Sequence, residues 1–185
     1  YELGNFKYAN KHGIEEELPK GYLRIEEAMK LARESQSYSK PIYSPSLPEK
    51  PFARDVRLSV IQYIEKNLLK RKLNPEERAK VRFFTAADGH KDKSGISNSP
   101  LDRFHGANAW IEYTNETGVH FATFRLTFRK ENDGSQNRNV VVLQSELPDP
   151  YLDLDNYEKA IDKFGEQAFN KMEDKERHKL VQELQ

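Results

Sequence analysis

The chain predicts an α+β domain: an antiparallel or mixed sheet of about four strands, flanked by helices. Three observations lead there. Apolar residues recur at helical spacing near the start of the chain and again at its end. Between those regions stand short runs rich in β-branched and aromatic residues. Those runs follow one another instead of alternating with helices, so the order is helices, strands, helices. The strands are expected at 80–86, 107–113, 120–130 and 139–145, and the helices at 23–36, 53–71 and 155–185.

The first twenty residues mix aromatic, polar and glycine positions without a period and read as an arm that packs onto something else. Ile25, Ala28, Met29 and Ala32 then trace the first helix. Four prolines between Lys40 and Phe52 make an extended connector, since none suits a helix interior or a central strand. In the second helix Val56, Val60, Ile61, Ile64 and Leu68 share one face, widened by Leu58, Tyr63 and Leu69. Lys70, Arg71 and Lys72 close it, where cations meet the negative end of the helix dipole. Asn74, Pro75 and Glu77 spell a capped helical start with a capping box. The first strand follows, and then a polar loop of sixteen residues, 88–103, longer than most connections. Pro100 and Gly106 read as breakers of a turn that tucks Leu101 and Phe104 inward. "TNETG" joins two strands as a hairpin, and the Asp-Gly of "ENDGSQNRN" predicts a second hairpin into the last strand. Asp155 is expected to cap the closing helical region in a box with Glu158. Tyr157, Ile161, Phe164, Ala168 and Met172 form its buried stripe, and a final helix groups Leu180, Val181 and Leu184.

These elements divide the chain into an arm, helix and connector at 1–52, a central core at 53–150 and a helical segment at 151–185, together one domain. A chain that opens on Tyr1 and closes inside a helical pattern is expected to be a piece of a larger protein. It is polar, with 32% charged residues against 36% hydrophobic and a mean hydropathy of −0.90. Net charge is zero, but its distribution is uneven: twelve Lys and Arg against six Asp and Glu from Lys50 to Lys93, and six against eleven from Glu146 to Gln185. Such a basic middle can steer an anionic partner. The absence of cysteine excludes disulfides and thiolate chemistry. With no signal peptide visible, a reducing compartment, cytoplasmic or nuclear in type, is expected. No apolar run reaches the ~20 residues needed to cross a bilayer, so no membrane insertion is expected.

Strand alternation sorts the central side chains. Ala107, Ala109, Ile111 and Tyr113 take one face with Ala122, Phe124, Leu126 and Phe128. Asn108, Trp110, Glu112, Arg125, Thr127 and Arg129 take the other. That polar face, with the basic helix end at Lys70, Arg71 and Lys72, is a candidate binding surface for nucleic acid or an acidic protein.

A helix, a strand, and then "HGANAWIEY" beside "FATFRLTFRK" resemble, over Asp55 to Lys130, the core of the restriction-endonuclease-like nucleases, the PD-(D/E)XK superfamily. In that family an aspartate early in the second strand and an acid-x-lysine triplet on the third hold a divalent metal and orient the attacking water. A helix between the third and fourth strands completes the core. The resemblance assigns the assisting helix acid to Glu65, the early-strand position to Asn108 and the triplet to Arg125-Leu126-Thr127. An amide and a guanidinium thus stand where carboxylates would hold the ion, and threonine replaces lysine. The resemblance implies a nuclease-like fold whose catalytic acids are lost.

His90, Asp92, Asp102 and His105 form a second constellation of candidate metal ligands. Asp102, His105 and Glu112 are candidate catalytic groups for a rearranged site using magnesium or manganese. No Gly-rich phosphate loop, G-x-S-x-G elbow or H-E-x-x-H helix is present. The leading expectation is a non-catalytic binding module without a cofactor. A metal-dependent phosphodiester hydrolase is the first alternative, and a structural domain assembling through its terminal helices is the second.

Overall fold

The computed structural model describes residues 19, 21–38, 44–86, 99–128 and 139–183, with side chains described to residue 173. Helix α1 spans Ile25–Tyr38, its start held by the Arg24 amide donating to Glu27. Helix α2 runs from Pro51 to Tyr63 and continues as a π-helical turn, Ile64–Leu69, that stops at Lys70 in the left-handed conformation. Helix α3, Pro75–Ala79, carries the expected capping box between Asn74 and Glu77. Strand β1 is Val81–Thr85. The segment read as a turn at Pro100 is instead a short helix α4, Pro100–His105, which Gly106 ends at φ +62°. Leu101 fastens it inward, fully buried. Strands β2 (Ala109–Asn115) and β3 (Gly118–Thr127) form the expected hairpin. Strand β4, Val140–Leu143, ends earlier than expected, because the chain tightens into a 3₁₀ turn at Gln144–Glu146.

The sheet order is β1-β2-β3-β4, mixed: the first two pairings are antiparallel, but β3 and β4 run parallel. That overturns the second hairpin. Parallel neighbours need a crossover connection, which a tight Asp-Gly turn cannot supply; residues 129–138 lie outside the described residues. The closing region is one helix, α5, Leu154–Glu183, not two. Asp153 rather than Asp155 caps it, accepting from the Asn156 amide at 3.3 Å.

Both faces of the sheet are covered. Val81, Phe83, Ile111, Phe124, Val140 and Val142 pack against Val56, Val60 and Ile61 of α2 and Ile161, Phe164 and Ala168 of α5. Phe84, Ala86, Ala107 and Trp110 form a second core with Ala28, Met29 and Ala32 of α1 and Leu101 of α4. Three layers result, helices on either side of the sheet.

Helices α2 and α5 approach closely at Gly165, where an added Cβ would lie 2.1 Å from Ser59 Oγ and 2.6 Å from its Cβ. Gly165→Ala is therefore expected to cost about 1–3 kcal/mol through overpacking. Adding Ser59→Gly should recover part of the loss, read as urea-unfolding midpoints of the three proteins.

Candidate functional site

The middle of the hairpin's polar face is covered, while Asn108, Arg125 and Thr127 toward its end stay half-buried. Trp110 and Glu112 are both 0% exposed, because α1 lies across them. The Glu112 carboxylate accepts from Arg33 of α1 at 2.7 Å, from Arg82 of β1, and from Trp110 Nε1 at 3.2 Å. Register sets the Arg82 contact, since Arg82 stands directly opposite Glu112. Phe84 stacks on Trp110 at 4.7 Å and 10°, and Arg33 and Arg82 each lie 5.5 Å from the Phe84 ring centre. Two cations, one carboxylate and two aromatic rings thus close this side of the sheet. The expected exposed binding face is here a helix-covered core. Strand alternation cannot separate the two cases, because a polar row pairs with cations from a covering helix or strand as well as with water.

The histidine-glycine corner is closed as well. Helix α4 ends there, and the carbonyls of its last turn need donors. Arg125 Nη1 donates to the Gly106 carbonyl at 3.2 Å and lies 3.9 Å from Asp102. Asn139, just before β4, donates to the carbonyls of His105 and Gly106, both at 3.1 Å, and accepts from the Thr123 hydroxyl at 2.6 Å. Glycine is needed at 106 for its positive φ and for space, since a Cβ would stand 2.8 Å from Arg125 Nη1. Asn108 is committed to the backbone: its amide donates to the Leu126 carbonyl at 2.9 Å and accepts from the Leu126 N–H at 2.8 Å. It extends the ladder where β2 begins. His105 Nε2 lies 2.8 Å from the Leu23 carbonyl, which can only accept, so the proton sits on Nε2.

Of the candidate catalytic groups, Asp102 and His105 stand one turn apart on α4, but Asp102 lies 3.9 Å from Arg125 and His105 meets the Leu23 carbonyl, while Glu112 is held by its two arginines. Each faces a different partner. Thr127, half-buried, ends β3. Arg129, His90 and Asp92 lie outside the described residues. Among the described residues, no three His, Cys, Asp or Glu side chains gather as a metal site.

The third cluster lies at the far end of α2. Glu65, on the π-helical turn, is buried, yet it accepts from Lys72 at 2.9 Å, Arg78 at 2.8 Å and the Leu73 amide at 3.0 Å. Burial pushes its carboxyl up, but these three donors outweigh burial and hold it at about 2. Arg71 forks onto Glu77 at 2.8 and 2.5 Å, which together with the Asn74 amide holds that carboxyl at about 2. Arg71 and Lys72 therefore tie down the chain reversal after α2 rather than simply meeting its dipole. Lys70 is exposed at the reversal itself. Between residues 65 and 80, six cations stand against three carboxylates, and all six, Lys66, Lys70, Arg71, Lys72, Arg78 and Lys80, are exposed.

Arg33, Arg82, Asn139 and Arg78 were not among the residues singled out from the sequence. Arg33 carried one usable sign: it stands four residues after Met29, on the edge of α1's apolar face, where a charge needs a partner. Comparison with protein-family models, with curated proteins and with solved structures gives no match. Among the described residues, no helix is long and apolar enough to cross a membrane.

Two outcomes follow. Glu112→Gln removes the buried charge that two half-buried guanidinium groups share, and since those groups can turn to water it is expected to cost about 1–3 kcal/mol in urea unfolding. Glu65 has a folded-state value below its ordinary one, so its contribution to stability is full above about pH 4.5 and fades as pH falls toward about 2. Glu65→Gln should flatten that limb of the stability-against-pH curve; an unchanged limb between pH 5 and 2 would contradict the assignment.

Proposed function

We propose that this chain is a non-catalytic binding module of a larger protein with a nuclease-like core, and that it engages a polyanion through the basic end of α2. The observation that carries the first half is Arg125: its guanidinium lies 3.9 Å from Asp102 and 3.2 Å from the Gly106 carbonyl, at the triplet position that an acid would occupy in the nuclease family. A divalent cation placed there would face a fixed positive charge. The parallel pairing of β3 with β4 supports the nuclease-like reading, since it calls for a crossover between those strands, as the family core has, in place of a hairpin.

The second half rests on charge. With much of the sheet's polar face covered, the densest exposed basic run among the described residues is Lys66, Lys70, Arg71, Lys72, Arg78 and Lys80. Glu65 and Glu77 hold Lys72, Arg78 and Arg71 in place, and positive charge remains in excess. Nucleic acid is the ligand this surface fits first, because fixed cations on a chain reversal can contact successive phosphates.

The test is fluorescence anisotropy with labelled single-stranded DNA, duplex DNA and RNA across a salt series. Affinity is expected to fall steeply with salt, and Lys66→Ala with Lys70→Ala should reduce the slope by about 2. Binding of poly-glutamate but of none of the nucleic acids would move the ligand to an acidic protein surface. No binding to any of them at low salt would remove the polyanion reading. Cleavage of plasmid DNA in magnesium or manganese that disappears in Asp102→Ala would overturn the non-catalytic one.

A further inference from the structure

The two edges of the sheet are finished differently. Along β1 every second residue is met from outside. The Val81 carbonyl accepts from Arg57 Nε at 2.6 Å, and the Phe83 N–H donates to the Pro45 carbonyl at 2.8 Å. The Gln36 amide donates to the Thr85 carbonyl at 2.5 Å and accepts from the Thr85 N–H at 3.3 Å. Three separate elements therefore spend their polar groups on closing one edge.

Among the described residues, strand β4 has no such cover. It is the last strand in the order, and alternate residues along it turn their N–H and C=O groups away from β3. Among the described residues, none of those groups in Val140–Leu143 meets a partner. The surrounding run "NVVVLQS", 139–145, holds no charge, no proline and no glycine. Charge and proline are two of the devices by which proteins keep an edge from pairing; β4's four-residue length is the one such device it retains. Val140 and Val142 face the core, while Val141 and Leu143 stand half-buried on the other side.

We propose that β4 is the pairing edge for a second copy of this chain, the two strands running antiparallel about a two-fold axis to join both sheets into one. An uncharged β-branched strand is its own complement, and two-fold pairing consumes the open edge of both copies at once. The joined sheet then ends at both outer margins on a β1 edge that is already closed. Charge selects the antiparallel direction. Lys171 donates to the Asn139 carbonyl at one end of β4 (3.1 Å), and Glu146, paired with Lys163 at 2.8 Å, lies just past the other end. Antiparallel pairing sets Lys171 beside Glu146 of the second copy, whereas parallel pairing would set lysine against lysine. This surface is separate from the basic end of α2, so either assignment can fail without the other.

Strands this short bury little, so the dimer is expected to be weak, with half-association at about 10–100 μM. Sedimentation of the whole chain from about 1 to 500 μM at high salt should show the mass rising from 21.6 kDa toward twice that value. High salt suppresses association between the basic and acidic regions but not strand pairing. Val141→Lys and, separately, Leu143→Lys place a charge on the open edge and should weaken association at least tenfold; Val141 stands opposite Arg125 and Leu143 opposite Thr127, so the Leu143 variant is the one expected to change the melting temperature of the monomer least. Should either variant fold poorly, hydrogen exchange of the unmodified protein decides: amide protection across 140–143 should rise with protein concentration. A single 21.6 kDa species at every concentration, a dimer indifferent to both substitutions, or protection at 140–143 that does not depend on concentration would each overturn the proposal.

Discussion

The Glu112 carboxylate holds α1 to the sheet, and the closed second face depends on it. Two guanidinium groups and an indole N–H converge on a side chain with no exposure to water. Removing a carboxylate from water costs several kcal/mol, and one cation rarely repays that cost. Here the charge is shared by Arg33 from α1 and Arg82 from β1, so the ion cluster bridges two layers. Phe84 and Trp110 stack beneath the same guanidinium groups, which spend their faces on the rings and their edges on the carboxylate. Helix α1 packs Ala28, Met29 and Ala32 into one cluster with Trp110. A sheet that would otherwise present one wet face becomes the middle of a three-layer sandwich.

The same logic recurs at the other two charged clusters. In each, a group that would be suspected of chemistry is consumed by a backbone terminus or a chain reversal. Arg125 and Asn139 supply the donors that the last turn of α4 lacks. Glu65 supplies the acceptor for the Leu73 amide where the chain leaves α2, and gathers Lys72 and Arg78 around it. A metal site needs carboxylates whose lone pairs are uncommitted. Glu65 and Glu112 each accept three hydrogen bonds from within the chain, and Asp102 faces Arg125.

Much of the fold was legible in local pattern, because local pattern reports local physics. The stripe on α2, the alternation in β2 and β3, the hairpin at 115–118 and the capping box at Asn74 and Glu77 each follow from contacts within a few residues. What local pattern left open was the destination of the polar groups. Asn108, Glu112 and Arg125 do share one face, as alternation requires, but whether that face meets water depends on Arg33, some eighty residues earlier. The direction of β4 was misread for a related reason. Asp-Gly favours a tight turn, yet β4 joins β3 in parallel, and its buried Val140 and Val142 match Phe124 and Leu126 in that direction. Core packing over four strands outweighed a turn preference of two residues. Asp153 displaced Asp155 as the cap by a margin of two residues, finer than the helix pattern itself defines.

With both sheet faces occupied, the proposed recognition falls to ends and edges. A binding surface on a covered sheet would require α1 to leave, breaking the Arg33–Glu112 pair and exposing Trp110, which costs far more than a typical weak ligand returns. The end of α2 carries no such cost. Its cations are already exposed, and the two carboxylates that orient them lie beneath or beside them rather than in front. Pre-arranged side chains lose less freedom when an anion arrives, so the internal ion pairs at Glu65 and Glu77 favour binding even as they reduce the local charge. The function of this chain is thus to be sought where its charges are held in place but still face water, and the buried charges are to be understood as the framework that leaves those positions free.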